Sequence, residues 1–282
     1  MQPVDKLERS LITKFRKYLW RPFSKAVREY QLIDEGDRIA VAISGGKDSL
    51  VLAKLLQEIC RHGHKDFDLE FICMDPGYLP PVRAKVKANA RQLGIPLQVF
   101  DYPAFSVADK MGGAKPCFIC ARVRRGALYS QAQKLGCNKL ALGHHFDDVI
   151  ETVLMNVLFA GQYKTMMPKI HATNFPGMEL IRPLVYVREE SIIRWRDYVG
   201  LDPIDCACGV SQKKEDGSMR AVTKKLIGDL EATYPGVVHS IYRSAENVEL
   251  GAVLSWKDLM GDRHHFEDYY EARGKEGPGV LK

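Results

Sequence analysis

The stretch Arg38-Ile-Ala-Val-Ala-Ile-Ser44-Gly-Gly-Lys-Asp-Ser49-Leu-Val-Leu52 decides how this chain folds. Its first half is a short apolar run with β-branched residues, of the kind found in a strand buried on both faces. After Ser49, apolar residues recur at Leu50, Val51, Leu52, Leu55, Leu56 and Ile59, which is helical spacing. The order is therefore strand, glycine loop, helix. Such a loop converges its backbone N–H groups on an anion, with the positive end of the helix dipole behind them. It is not a Walker A loop, which has four residues between its first Gly and Gly-Lys-Ser/Thr.

Outward from the loop, strand-like and helix-like segments alternate. Leu69–Met74, Leu97–Phe100 and Lys139–Gly143 read as strands, and helices are expected near 80–94, 118–135 and 147–160. A further strand is expected at 179–187, and helices near 219–232 and 240–255. This alternation predicts an α/β fold, a doubly wound and mostly parallel sheet with helices on both faces, flanked by N-terminal helices and a helical C-terminal extension. Ligands of such sheets sit beyond the carboxyl ends of the strands, so the loops at 44–49, 74–80 and 143–148 are expected on one rim. The expected organisation is a basic helical segment at 1–35, interrupted at Pro22, a nucleotide-binding domain at 36–202, a Cys-containing loop with helices at 203–260, and a frayed tail at 261–282.

Composition excludes the exotic classes. With 282 residues, 46% hydrophobic and 27% charged, the chain is ordinary for a soluble globular protein. No window suits a bilayer span and no signal-peptide core opens it, so the cytoplasm is the expected location, without membrane contact. The net charge of +6 is concentrated: the first 28 residues hold eight basic residues against Asp5 and Glu8. Lys14, Arg16, Lys17, Arg21 and Lys25 are accordingly candidates for a polyanion contact, against the plainer reading of a solvated helix face. Seven cysteines without a secretory signal argue for metal or sulfur chemistry over disulfides. Cys60, Cys73 and Cys137 fall in apolar patterns and read as core residues. Cys117-Phe-Ile-Cys120 and Cys206-Ala-Cys208-Gly209 could close one site of soft thiolates, which suits zinc and iron–sulfur clusters alike. Asp147 and Asp148, at a helix start, could bind Mg²⁺ or cap the helix.

Ser44-Gly-Gly-Lys-Asp-Ser49 resembles the pyrophosphate loop of the ATP pyrophosphatase (PP-loop) superfamily, with its adenine nucleotide alpha-hydrolase-like fold. Its members split ATP between the α- and β-phosphates and adenylate an oxygen. Cys117-Phe-Ile-Cys120-Ala-Arg122-Val-Arg124-Arg125-Gly126, Gly143-His-His-Phe-Asp-Asp148 and Ile181-Arg-Pro-Leu184 together resemble the tRNA 2-thiocytidine synthetase group of tRNA thiolases, from about Ile33 to Asn247. This resemblance implies an ATP-dependent sulfurtransferase acting on tRNA, with a [4Fe–4S] cluster, ATP and Mg²⁺. Its ATP site would comprise Ser44, Gly45, Gly46, Lys47, Asp48, Ser49, the Met74 backbone, Gly143 and His144. Asp48, Asp147 and Asp148 would serve Mg²⁺, and Asp48, Asp148 and Arg124 the reaction. Cys117, Cys120 and one later cysteine would hold the cluster. The group has Cys-x-x-Cys-Gly where this chain has Cys-Ala-Cys-Gly, which leaves the third ligand between Cys208, favoured by its following Gly, and Cys206. The implied partners are tRNA and a sulfur donor such as a cysteine desulfurase or free sulfide, with a homodimer left open. Competing readings are a PP-loop enzyme for another substrate with a structural zinc, and a non-catalytic RNA-binding or redox-sensing protein.

Overall fold

The computed structural model describes residues 4–102, 116–204, 218–268 and 270, the side chains of 116–121 excepted. Strand β1 (Arg38–Ala42) is central: it pairs in parallel with β2 (Asp68–Asp75) on one side and β4 (Lys139–Ala141) on the other. Beyond β2 lies β3 (Leu97–Asp101), and beyond β4 lie β6 (Glu179–Ile181) and the antiparallel edge strand β5 (Lys169–His171). The order β3-β2-β1-β4-β6-β5 reverses its winding between β1 and β4. That junction is the topological switch point, where an open α/β sheet leaves a crevice at its carboxyl edge. The loops after β1 and after β4 flank it.

Ile39, Ala40, Val41 and Ile43 are buried, as a strand covered on both faces requires. Helix α3 (Lys47–His62) follows the glycine loop and buries Leu50, Val51, Leu52, Ala53, Leu55 and Leu56 completely. Also in the layers around the sheet are α4 (Pro80–Gln92), α5 (Pro116–Lys134), α6 (Phe146–Ala160) and α7 (Glu189–Val199). Two helices, α8 (Met219–Thr233) and α9 (Val237–Ser244), form the C-terminal extension and pack on α6 through Ile227, Val238 and Tyr242.

The N-terminal segment forms α1 (Val4–Ile12), a π-helical turn at Arg16–Trp20 and α2 (Arg21–Glu29). Pro22 does not interrupt a helix; it sits in the first turn of α2, where a missing N–H costs nothing. Three expectations are corrected. The strand expected at 179–187 stops at Ile181, because Pro183 cannot donate to a ladder, and Leu184 keeps only an isolated bridge to His145. The helix expected at 240–255 ends at Ser244. The chain then makes a short 3₁₀ turn and a hairpin, β7 (Ser255–Lys257) with β8 (Arg263–His265), so 261–268 does not begin as a frayed tail. Asp258 closes that hairpin by accepting from the N–H groups of Met260 and Asp262.

Helix α1 is fastened by charge as well as by Leu7 and Leu11. Lys54, fully buried on α3, donates to Glu8 Oε1 at 2.5 Å, Gln57 Oε1 at 2.7 Å and the Leu93 carbonyl at 2.7 Å. Arg61 donates to the other Glu8 oxygen at 2.6 Å. Removing one member of a buried pair leaves the other charge without compensation, whereas removing both need not. Glu8→Ala is therefore expected to lower unfolding stability by roughly 3 kcal/mol. Adding Lys54→Met should restore most of it, as urea denaturation of the single and double variants will measure.

Candidate nucleotide and metal site

The glycine loop is tied by its own serines. Ser49 Oγ donates to the Gly46 carbonyl at 2.9 Å and lies 3.2 Å from Ser44 Oγ, which accepts from Gly46 N–H. Gly45 takes φ +83°, and a Cβ there would lie 2.8 Å from side-chain carbons of Val86 and Ile204. Ile204 N–H also donates to the Gly45 carbonyl at 3.1 Å, so the segment leading toward Cys206 is pinned on this loop. Helix α3 starts at Lys47 without a side-chain cap, and the first-turn N–H groups of Lys47 and Asp48 have no acceptor among the described residues. Uncapped first-turn donors at a helix N-terminus suit a phosphate. Gly143, after β4, sits where a Cβ would be 3.0 Å from Ser49 N. The two loops at the switch point thus touch.

Asp48 carries the clearest signal. Its Oδ1 is buried, accepts no hydrogen bond among the described residues and has the Lys47 ammonium 3.3 Å away, and burial raises its pKa despite the attraction of His145 and Lys47. A desolvated carboxylate oxygen without a hydrogen-bond donor is costly unless cations approach it; Lys47 Nζ supplies one such charge, and the hard oxygen suits a divalent ion such as Mg²⁺ as well. His145 Nε2 lies 3.8 Å from Asp48 Oδ1 and 3.6 Å from Asp148 Oδ2, so the two carboxylates flank one ring nitrogen. Among the described residues no three His, Cys, Asp or Glu side chains form a ready metal cage. Mg²⁺ commonly completes its shell with water and substrate phosphate rather than protein.

The paired aspartates already have donors. Asp148 accepts from His145 N–H at 3.0 Å, capping α6, and from Arg220 at 3.2 Å. Asp147 accepts from Arg188 Nε at 3.1 Å and from Glu189 N–H at 2.7 Å, which caps α7. Both Asp147 oxygens are thereby engaged, in bonds that brace the start of α7 rather than cap the helix the aspartate itself opens. Arg188 continues to both carboxylate oxygens of Glu231 on α8, each at 3.0 Å. Glu189 receives Lys47 at 2.9 Å and Lys224 at 2.6 Å. Burial raises the Glu189 pKa, but these two ammonium groups outweigh it and bring it to about 2. Sequence reasoning missed Arg188, Glu189, Arg220 and Lys224; the acidic pair Glu189-Glu190 at a helix start was a weak sign of the second, and nothing local marks Arg220.

Met74 is buried at the end of β2 against Val123, Ala127 and Phe100, which brings α5 to the rim. Arg124 is half-buried and lies close enough to Cys73 to act on it electrostatically. The side chains of Cys117 and Cys120, in the first turns of α5, and all of Cys206 and Cys208 lie outside the described residues. Cys73 and Cys137 are buried thiols whose pKa values burial pushes up to about 12 and about 11, in keeping with core roles, and Cys60 is half-buried. The basic stretch is exposed: Lys14 lies 4.0 Å over the Tyr198 ring, at the end of α7 remote from Glu189, and Lys25 lies 4.3 Å over Tyr186. No described helix is long and apolar enough to cross a membrane.

Residues 17–204 match the PP-loop domain family. The tRNA-cytidine(32) 2-sulfurtransferase of Pelobacter propionicus is 43% identical over 227 residues, 79% of this chain and 83% of its own. The protein of the same name from Geobacter sulfurreducens is 41% identical over 228 residues, 80% of this chain and 87% of its own. In structure, the chain is similar to the U34-tRNA thiolase of Methanococcus maripaludis, solved with its [4Fe–4S] cluster, at a TM-score of 0.63 and 24% identity, covering 86% of this chain and 85% of that one. A glycine loop opening an uncapped helix at the switch point, set in a chain that aligns along most of its length with these sulfurtransferases, makes this protein a member of the PP-loop family in its tRNA-cytidine 2-sulfurtransferase branch.

Proposed function

We infer that the protein is an ATP-dependent tRNA sulfurtransferase that replaces the C2 oxygen of a cytidine in the anticodon loop with sulfur, cytidine 32 being the position in its relatives' name. The observation that carries this reading is the glycine loop, with free N–H donors at the start of α3 beside the buried Oδ1 of Asp48, which accepts no hydrogen bond among the described residues. A nucleobase carbonyl oxygen is a poor leaving group, so exchange needs activation. The base oxygen attacks the α-phosphorus of ATP, an O–P bond forms, the α–β bridge breaks and pyrophosphate leaves. A hydrosulfide then adds to C2, the C–O bond breaks, AMP carries the oxygen away, and the sulfur loses its proton to solvent as C=S forms.

In this scheme Gly45, Gly46, Lys47 and Ser49 hold the pyrophosphate portion, and backbone donors stabilise the charge that develops there. Met74 offers its backbone to the adenine edge, and Gly143 lets the two loops approach. Asp48 takes Mg²⁺ with Asp148 close by, and Arg124 meets phosphate from α5. Cys117, Cys120 and Cys208, with Cys206 as the alternative third ligand, hold a [4Fe–4S] cluster. The support is positional: the helix bearing the first pair packs on Met74 at the rim, and the segment toward the later cysteines is pinned on Gly45 through Ile204. A cluster with three protein ligands keeps one iron open, and so supplies a place for the sulfide to be exchanged. That sulfide comes from free sulfide, or from the persulfide of a cysteine desulfurase once a thiol reductant has released its outer sulfur as hydrosulfide.

Mass spectrometry of tRNA nucleosides from a strain lacking this protein tests the reading: 2-thiocytidine should vanish and return with the wild-type gene, and its persistence in the deletion strain would refute it. Asp48→Asn should reduce ATP-to-AMP turnover at least 100-fold without lowering the melting temperature, since it removes a metal ligand and no core volume. Near-normal turnover would take Asp48 out of the site. Anaerobically purified wild type should show the broad visible absorbance of a cluster. Cys117→Ala, Cys120→Ala and Cys208→Ala should each lose iron, and Cys206→Ala should keep it. A colourless wild type holding one zinc would replace the cluster with a structural metal.

A further inference from the structure

Arg182 is a buried residue at the rim whose charge no described residue answers with an ion pair. It directly follows β6, is only 5% exposed, and forms no ion pair with any described residue. Its Nε donates to His144 Nδ1 at 3.3 Å and its Nη1 to the Met167 carbonyl; Nη2 has no hydrogen bond among the described residues. A guanidinium cannot give up its proton in a protein, so the bond to His144 fixes the imidazole: Nδ1 is the acceptor and Nε2 carries the hydrogen. A buried cation normally has an anionic partner, because desolvation costs several kcal/mol per ion. Here the charge that acts on it most strongly is another cation. Arg125, exposed on α5, presses on both Arg182 and His144, and only Asp148 and Tyr129 act in the opposite sense. Asp148 is already held by His145 and Arg220.

We propose that Arg182 and Arg125, with the Nε2–H of His144, form a phosphate seat separate from the glycine loop, and that its occupant is a phosphodiester of the tRNA strand next to the target cytidine. This rests on the function inferred above. The other source of the same chemistry is ATP itself. The RNA is favoured because the glycine loop already supplies free donors for the nucleotide's phosphates on α3, while Arg182 stands across the switch point after β6. A base turned out of a folded loop brings its flanking phosphates to the edge of the pocket that receives it. Two arginines at that edge would hold the strand there.

The test compares wild type, Arg125→Ala, Arg182→Gln and the double variant, using tRNA from a strain lacking the protein, with ATP titrated separately in the absence of RNA. Each lost phosphate contact should flatten the slope of log K against log salt by roughly 0.7 to 0.9. The single variants should therefore each flatten it by that amount and the double variant by about twice as much, with ATP affinity within twofold of wild type throughout. If ATP affinity falls while the tRNA salt slope is unaltered, the seat belongs to the nucleotide and the proposal is wrong. If neither changes, Arg182 merely braces Met167 and His144. Arg125→Ala removes an exposed side chain and decides the question alone should Arg182→Gln fail to fold. A wild-type protein that fails to bind tRNA at all would overturn the inferred function itself, an outcome visible before any variant is made.

Discussion

The structure depends on one constraint: helix α3 begins without a cap, at the point where the sheet reverses its winding. A helix start with free N–H groups is ordinarily satisfied by a side chain or by water. Here Gly46 offers no side chain, Ser44 and Ser49 spend their hydroxyls on holding the loop, and the helix body is buried through Leu50 to Leu56. The core therefore fixes α3 so firmly that its open end cannot shift to find partners. What remains is a rigid anion cradle, prepared before the ligand arrives.

Everything arranged around that cradle manages charge. Lys47 is shared between Asp48 and Glu189, Glu189 between Lys47 and Lys224, Asp147 between Arg188 and the start of α7, and Asp148 between His145 and Arg220. The C-terminal helix α8 thus reaches the rim through Arg220, Lys224 and Glu231. Its first turn follows the cysteine-bearing segment, and Ile204 pins the other end of that segment on Gly45. The nucleotide loop and the flanks of the later cysteines are in this way parts of one electrostatic and steric unit, which is a physical reason for ATP and sulfur chemistry to share one rim.

Much of this was legible in the chain. The apolar run Ile39–Ile43, the glycine hexapeptide and the helical spacing after it give β1, the loop and α3 directly, because local pattern and burial agree there. Three-residue strands such as β5 carry too few positions for periodicity to register, and the stop at Ile181 turns on Pro183. The roles of Asp147 and Arg182 were not readable from position, since capping and metal binding use the same residues, and a buried arginine is recognised only when its missing partner is seen. Arg220 and Lys224 reach the site from 72 and 35 residues away respectively, by helix packing that no local motif encodes.

The central claim is that adenylation at the glycine loop and sulfur insertion at the cysteines are two halves of one reaction. It is tested most directly by anaerobic single-turnover assays on the reconstituted protein with ATP, sulfide and tRNA from a strain lacking it, in which AMP, pyrophosphate and 2-thiocytidine are counted together. The account predicts one AMP and one pyrophosphate per 2-thiocytidine, all three requiring tRNA with an unmodified cytidine. ADP and phosphate in place of AMP and pyrophosphate, or thiolation that proceeds without ATP, would contradict it.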